Sequence, residues 1–94
     1  MEKQKAVEAI LEVLKSVQEL SGRKVGVITA ATCPIGDLDE FDSLSGVEAS
    51  SMLSGRIGFE IPGVNAFVNE KGTKALSVDQ IADAICRVAA EAKA

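Results

Sequence analysis

Residues 40–50 read EFDSLSGVEAS, and the fold turns on where a helix begins within them. Asp42 is a favoured N-cap residue, because its carboxylate can take the unpaired N–H groups of a first helical turn. Ser45 and Glu48 add a local S-x-x-E pattern of the capping-box kind. Leu44, Val47, Leu53 and Ile57 supply apolar contacts over the following turns, and Gly58 with Pro62 ends the run. The spacing therefore predicts a helix starting near Asp42. Gly46 and Gly55 each cost about 1 kcal/mol relative to Ala in a helix interior. Packing, more than intrinsic propensity, must hold this helix.

Upstream, Val7, Ile10, Leu11, Leu14, Val17 and Leu20 recur at steps of three and four, with Lys3, Glu8, Glu12, Lys15 and Glu19 on other faces. This is an amphipathic helix that needs a partner surface. Gly22 is a good left-handed stop for it. Residues 22–41 contain KVGVITA, which is strand-like in composition, but the shorter NAFVN is the only candidate to pair with it. A two-stranded sheet would be marginal. The expectation is a long loop whose Val25, Val27, Ile28, Ile35 and Leu38 pin it across the core. Downstream, a short helix or turn is expected from Val64 to Glu70, then a loop at EKGTKA. Ser77 and Gln80 form a capping box for a last helix with an apolar stripe of Val78, Ile81, Ala82, Ile85 and Val88. Residues 1–94 thus read as a single all-α domain: three main helices and a short additional one around one core.

The rest of the composition excludes more than it selects. Ten basic residues face fourteen acidic ones, and no Lys or Arg occurs between Val25 and Gly55. Nucleic acid is not expected as a partner, because phosphate contacts demand clustered cations; a basic protein partner fits better. Cys33 and Cys86 stand far apart and there is no His, too few soft ligands for a zinc site. The first ten residues are charged and helical rather than signal-like. The longest apolar stretch, VGVITAATCPI, is too short to span a bilayer. A cytoplasmic monomer without stable membrane insertion is expected.

Ser43 stands between Asp42 and Leu44, at the helix start. A Ser-His-Asp nucleophile is ruled out by the lack of histidine. No G-x-S-x-G elbow is present, and no Lys lies near Ser43 in sequence. A free anion gains about 0.3–1 kcal/mol from the helix dipole. The Asp42 carboxylate about 6 Å away takes back roughly 0.7 kcal/mol, and Glu40 tips the balance against binding. A charged group here must be held covalently. Three readings follow: a plain helix-start serine, a kinase target in acidic surroundings, or the attachment point of a prosthetic group delivered by another enzyme.

Asp42-Ser43-Leu44, then Val47-Glu48, Leu53, Ile57 and Glu60-Ile61-Pro62, run without a gap and resemble the acyl carrier protein family. Asp37-Leu38 upstream and Ser77-Val78 downstream extend the likeness over nearly the whole chain, although only about a fifth of it is sharp motif. The resemblance implies a small acidic four-helix bundle with a short third helix and a long loop between the first two helices. It implies a non-catalytic carrier with 4′-phosphopantetheine, derived from coenzyme A, esterified to Ser43 and bearing acyl groups as thioesters for fatty acid, lipid or polyketide-type biosynthesis. A phosphopantetheinyl transferase and acyl-transferring or acyl-modifying enzymes are the implied partners. Asp42 and Leu44 are the motif neighbours; Glu48, Asp37, Asp39 and Glu40 are expected to dock basic partners. Val47, Leu53 and Ile61 are expected near an acyl chain, with ordinary core packing as the alternative. Ser45, Ser54 and Gly55 stand where acids are frequent in the family, and Ala49 where a leucine is usual, which points to a specialised member. An aminoacyl or peptidyl carrier, a kinase-regulated adaptor and a helical interaction module without the arm are the competing functions.

Overall fold

A computed structural model describes residues 2–61, 63, 65–69 and 71–92. Pro62, Val64 and Glu70, which figure in the expectations above, lie outside the described residues. The described residues form a small all-helical bundle of four helices: α1 (Lys3–Leu20), a single turn α2 (Pro34–Asp37), α3 (Ser43–Ile57) and α4 (Val78–Ala92). α1 is the element that packs against both α3 and α4. Its apolar stripe does this with Ala6, Ile10, Val13, Leu14 and Val17, all buried. Ion pairs tie its rim to both neighbours: Lys3 Nζ lies 2.8 Å from Asp79 and 3.1 Å from Asp83 on α4, and Glu12 meets Arg56 on α3. Such exposed pairs contribute little beyond orientation.

The helix ends follow their local chemistry. α1 stops at Gly22, whose φ of +69° is left-handed, and Arg23 N–H reaches back to Gln18 O at 2.8 Å. The α4 capping box is formed: Ser77 N–H donates to Gln80 Oε1 at 3.0 Å and Gln80 N–H to Ser77 Oγ at 3.2 Å. The long loop supplies two more acceptors, since Val78 and Asp79 N–H groups donate to Thr32 O and Ala30 O, each at 2.9 Å. Thus the loop between α1 and α2 finishes the start of α4.

Four expectations need correction in detail. The short helical turn lies inside the long loop, at α2, where Pro34 begins it, Gly36 bends it at φ +112° and Leu38 N–H closes it onto Pro34 O. The described residues between α3 and α4 form turns and an isolated antiparallel bridge, Val68 to Ala75, because Asn69 accepts from Thr73 N–H (2.8 Å) and Lys74 N–H (3.3 Å). Val27, 90% exposed, does not pin the loop, and Val25 is also exposed; Ile28, Ile35 and Leu38 do face the core. The loop is held instead by the buried Gln18, whose Nε2 donates to Asp39 O at 2.7 Å. Leu20 at 82% exposure has overrun the end of the stripe. Ser45 is part of the first turn of α3 rather than a cap for Glu48.

Leu53 is fully buried within the main cluster, whereas Leu44, in the same helix, is 79% exposed. Leu53→Ala should lower unfolding free energy by about 2–5 kcal/mol. Leu44→Ala should stay within about 0.5 kcal/mol of the parent. Urea denaturation followed by circular dichroism measures both.

Candidate functional site

The turn around Ser43 is built by the residues on either side of it. Asp42 is the N-cap of α3, and its Oδ1 accepts from Ser45 N–H at 3.0 Å and from Ser45 Oγ at 3.2 Å. The hydrogen bond from the Ser45 backbone, above all, holds the Asp42 carboxyl below its ordinary range; the Ser45 hydroxyl and the Arg23 charge act in the same direction. Arg23 comes in from the loop after α1: its guanidinium donates to Ser45 Oγ at 2.9 Å, with Nε 3.9 Å from Glu40. Just before this turn, Glu40 has a left-handed φ of +53°, and Phe41 is buried with its ring edge-on to Phe67 at 5.6 Å.

Ser43 is the first residue of α3 and is exposed. Among the described residues nothing hydrogen-bonds its hydroxyl, while its carbonyl accepts from Asn65 Nδ2 at 3.1 Å. The hydroxyl is therefore presented on a backbone held from two sides. No group of three or more His, Cys, Asp or Glu among the described residues is arranged to hold a metal ion.

Among the described residues, 59–61 and 65–67 lie along the side of α3 and form a strap. Ser54 Oγ accepts from Ile61 N–H at 3.3 Å, and Ser50 Oγ accepts from Ala66 N–H at 2.8 Å while donating to Gly46 O at 2.7 Å. The residues α3 buries are mostly small: Ser45, Gly46, Ala49 and Ser50, with Leu53. Small residues let backbone approach closely, and serine hydroxyls then satisfy the N–H groups so covered.

The other expected site residues fall in different places. Leu44 and Glu48 are exposed on α3 beyond Ser43. Asp39 is also exposed; Glu40 faces Arg23, and Asp37 uses its Oδ2 to accept from Cys33 N–H at 2.8 Å. Leu53 and Ile61 belong to one apolar cluster, and Val47, at 36% exposure, stays outside it. An open cleft beside Asp42 is lined by Arg23, Gly36, Leu38, Glu40 and Phe41, so none of those three reaches it. Arg23 and Asn65 were not singled out from sequence as partners of this turn, nor Ser50 and Ser54 as partners of the strap. The one usable signal was Gly46, a glycine inside a helix, which marks a close approach.

No protein-family model, curated protein or solved structure matches the chain. No helix among the described residues is long and apolar enough to cross a membrane.

The Asp42 interaction has a defined pH signature. A carboxyl whose folded pKa is depressed contributes stability above its unfolded value, here 3.8, and loses it as pH falls through the folded value. Asn is also a good N-cap but does not titrate. Between about pH 5 and pH 2, the loss of stability on acidification should be shallower for Asp42→Asn than for the parent. Urea midpoints across that range provide the check, and parallel curves would remove Asp42 as a contributor.

Proposed function

We propose that the chain is a carrier domain of the acyl carrier type, with Ser43 as the attachment point of 4′-phosphopantetheine. The observation that carries this reading is the presentation of Ser43: an exposed, unengaged hydroxyl on the first residue of a helix whose start is fixed by Asp42, Ser45 and Asn65. An exposed hydroxyl in a fixed position suits attack by a group that another protein brings. The chain contains no histidine to activate Ser43, so activation falls to the partner.

In the attachment step the Ser43 oxygen forms a bond to the pantetheine-bearing phosphorus of coenzyme A. The pyrophosphate P–O bond breaks, the adenosine bisphosphate half leaves with the bonding pair, and the hydroxyl proton passes to a base of the transferase. When bound, the arm supplies the thiol on which acyl groups are held as thioesters. The chain's own contribution is positional. Asp42 and Ser45 keep the helix start in register. Leu44 and Glu48 give the surface beyond Ser43 an apolar and an acidic contact for the transferase and for acyl-transferring enzymes. Asp39 adds a second exposed acid on the approach to the helix, with Asp37 and Glu40 beside it. The apolar cluster containing Leu53 and Ile61 is the place for an acyl chain to shelter, with the exposed Val47 outside it on α3. Synthesis of fatty acids, other lipids or polyketides is the proposed setting.

The test is intact mass after incubation with coenzyme A and a broad-specificity phosphopantetheinyl transferase, with a known carrier modified in the same tube. One arm on the parent and none on Ser43→Ala is the expected result. A folded parent that stays unmodified while the control is loaded overturns the reading in favour of a helical interaction module. Loading by amino acids in place of acyl groups would assign the aminoacyl class of cargo.

A further inference from the structure

We propose that Asn65 is the positioning residue for Ser43, a link through which the strap between α3 and α4 sets how readily Ser43 accepts a group; this rests on the carrier reading. Four observations converge on its side-chain amide. Nδ2 donates to the Ser43 carbonyl at 3.1 Å. Oδ1 accepts from Phe67 N–H at 2.9 Å. A Cβ built on Gly46 would lie 2.7 Å from both Nδ2 and Oδ1, so the amide rests directly against the helix backbone where only glycine leaves room. Phe67 is fully buried and edge-on to Phe41, two residues before Ser43.

The bond to Ser43 is not needed to satisfy a stranded group. As the first carbonyl of α3, Ser43 O is already placed to accept the helical bond from the next turn. Asn65 adds a second donor to it. What the extra bond does is tie the peptide that carries the reactive side chain to the buried Phe67. With Asp42 fixing the turn from the other side, rotation about the Ser43 side-chain bond is the main freedom left to the hydroxyl. For a group transfer between two proteins, a fixed approach of the attacking oxygen matters: displacements near 1 Å cost on the order of a hundredfold in rate.

The experiment is the single-turnover rate of arm transfer to Ser43 at saturating transferase and coenzyme A, for the parent, Asn65→Ala, Gly46→Ala and the double variant. Gly46→Ala leaves Asn65 in the sequence but takes its place, and it also improves helix propensity. A role in stability alone would therefore separate the two single variants. Positioning predicts that each slows transfer by about tenfold, and that the double variant is no slower than either, because both remove one contact. The Ser43 carbonyl carbon shift, read by NMR on the arm-free protein, should move in both single variants. Parent-like rates in folded variants overturn the inference, as does a double variant slowed by the product of the two effects, or an unmoved carbonyl shift. A parent that accepts no arm is a different outcome: it removes the carrier reading and with it the role assigned to Asn65.

Discussion

Everything in this bundle depends on one helix being buried on two flanks at once. α1 packs on both α3 and α4, and Ile10 and Leu14 at its middle have no exposed surface. A helix in that position needs a wide apolar stripe, and α1 has one, with Ala6 and Val13 filling its edges. The consequence reaches the loop as well. At the end of the stripe stands Gln18, fully buried, and its amide takes the place of an apolar contact by donating to Asp39 O. That bond brings the loop back to the bundle just before Phe41 and Asp42. The position of the α3 start is thus set from Gln18 of α1, 25 residues before Ser43 in the chain.

α3 is held by a different kind of contact. It buries one large side chain, Leu53, packs Met52 and Ile57 at the core margin, and otherwise buries glycine, alanine and serine. The apolar burial available from such residues is small. Hydrogen bonds that Ser45, Ser50 and Ser54 accept from Arg23, Ala66 and Ile61 contribute as well, roughly 1 kcal/mol each net of water. Their directionality has a structural effect that oily contacts lack: each fixes the crossing segment at one register on the helix. The helix that carries Ser43 is located by apolar contacts with α1 and by polar contacts with the loop and the strap, while α4 relies on its apolar stripe and on the caps at its start.

This division explains what was legible in the amino-acid sequence. α1 and α4 announce themselves through large aliphatic residues at helical spacing, and Ser77 with Gln80 marks the α4 start correctly. The α3 start at Ser43 is legible from Asp42 alone, because a cap is local chemistry. Which face of α3 turns inward is legible only in its second half, where Leu53 and Ile57 meet the core as expected. Leu44 and Val47 look like core residues and are exposed, while Gly46 between them lies against the Asn65 side chain. The strap itself has no periodicity to read. Its course depends on serine hydroxyls several turns away, and the same is true of Asn65, whose role exists only once Gly46 and Phe67 are brought beside it. A short helix or turn was expected at residues 64–70; the described residues there hold a turn, and the short helix is Pro34–Asp37 in the preceding loop.

The Phe41–Phe67 pair has a practical side. The chain has three phenylalanines and no tryptophan or tyrosine. Ring currents in this protein therefore come from very few sources, and two of them sit together at the junction of the Ser43 turn and the strap. Aliphatic protons displaced by those rings report on that junction almost without background. The molecule is nearly silent to fluorescence, but it carries a magnetic label of its own at the place where its chemistry is proposed to occur.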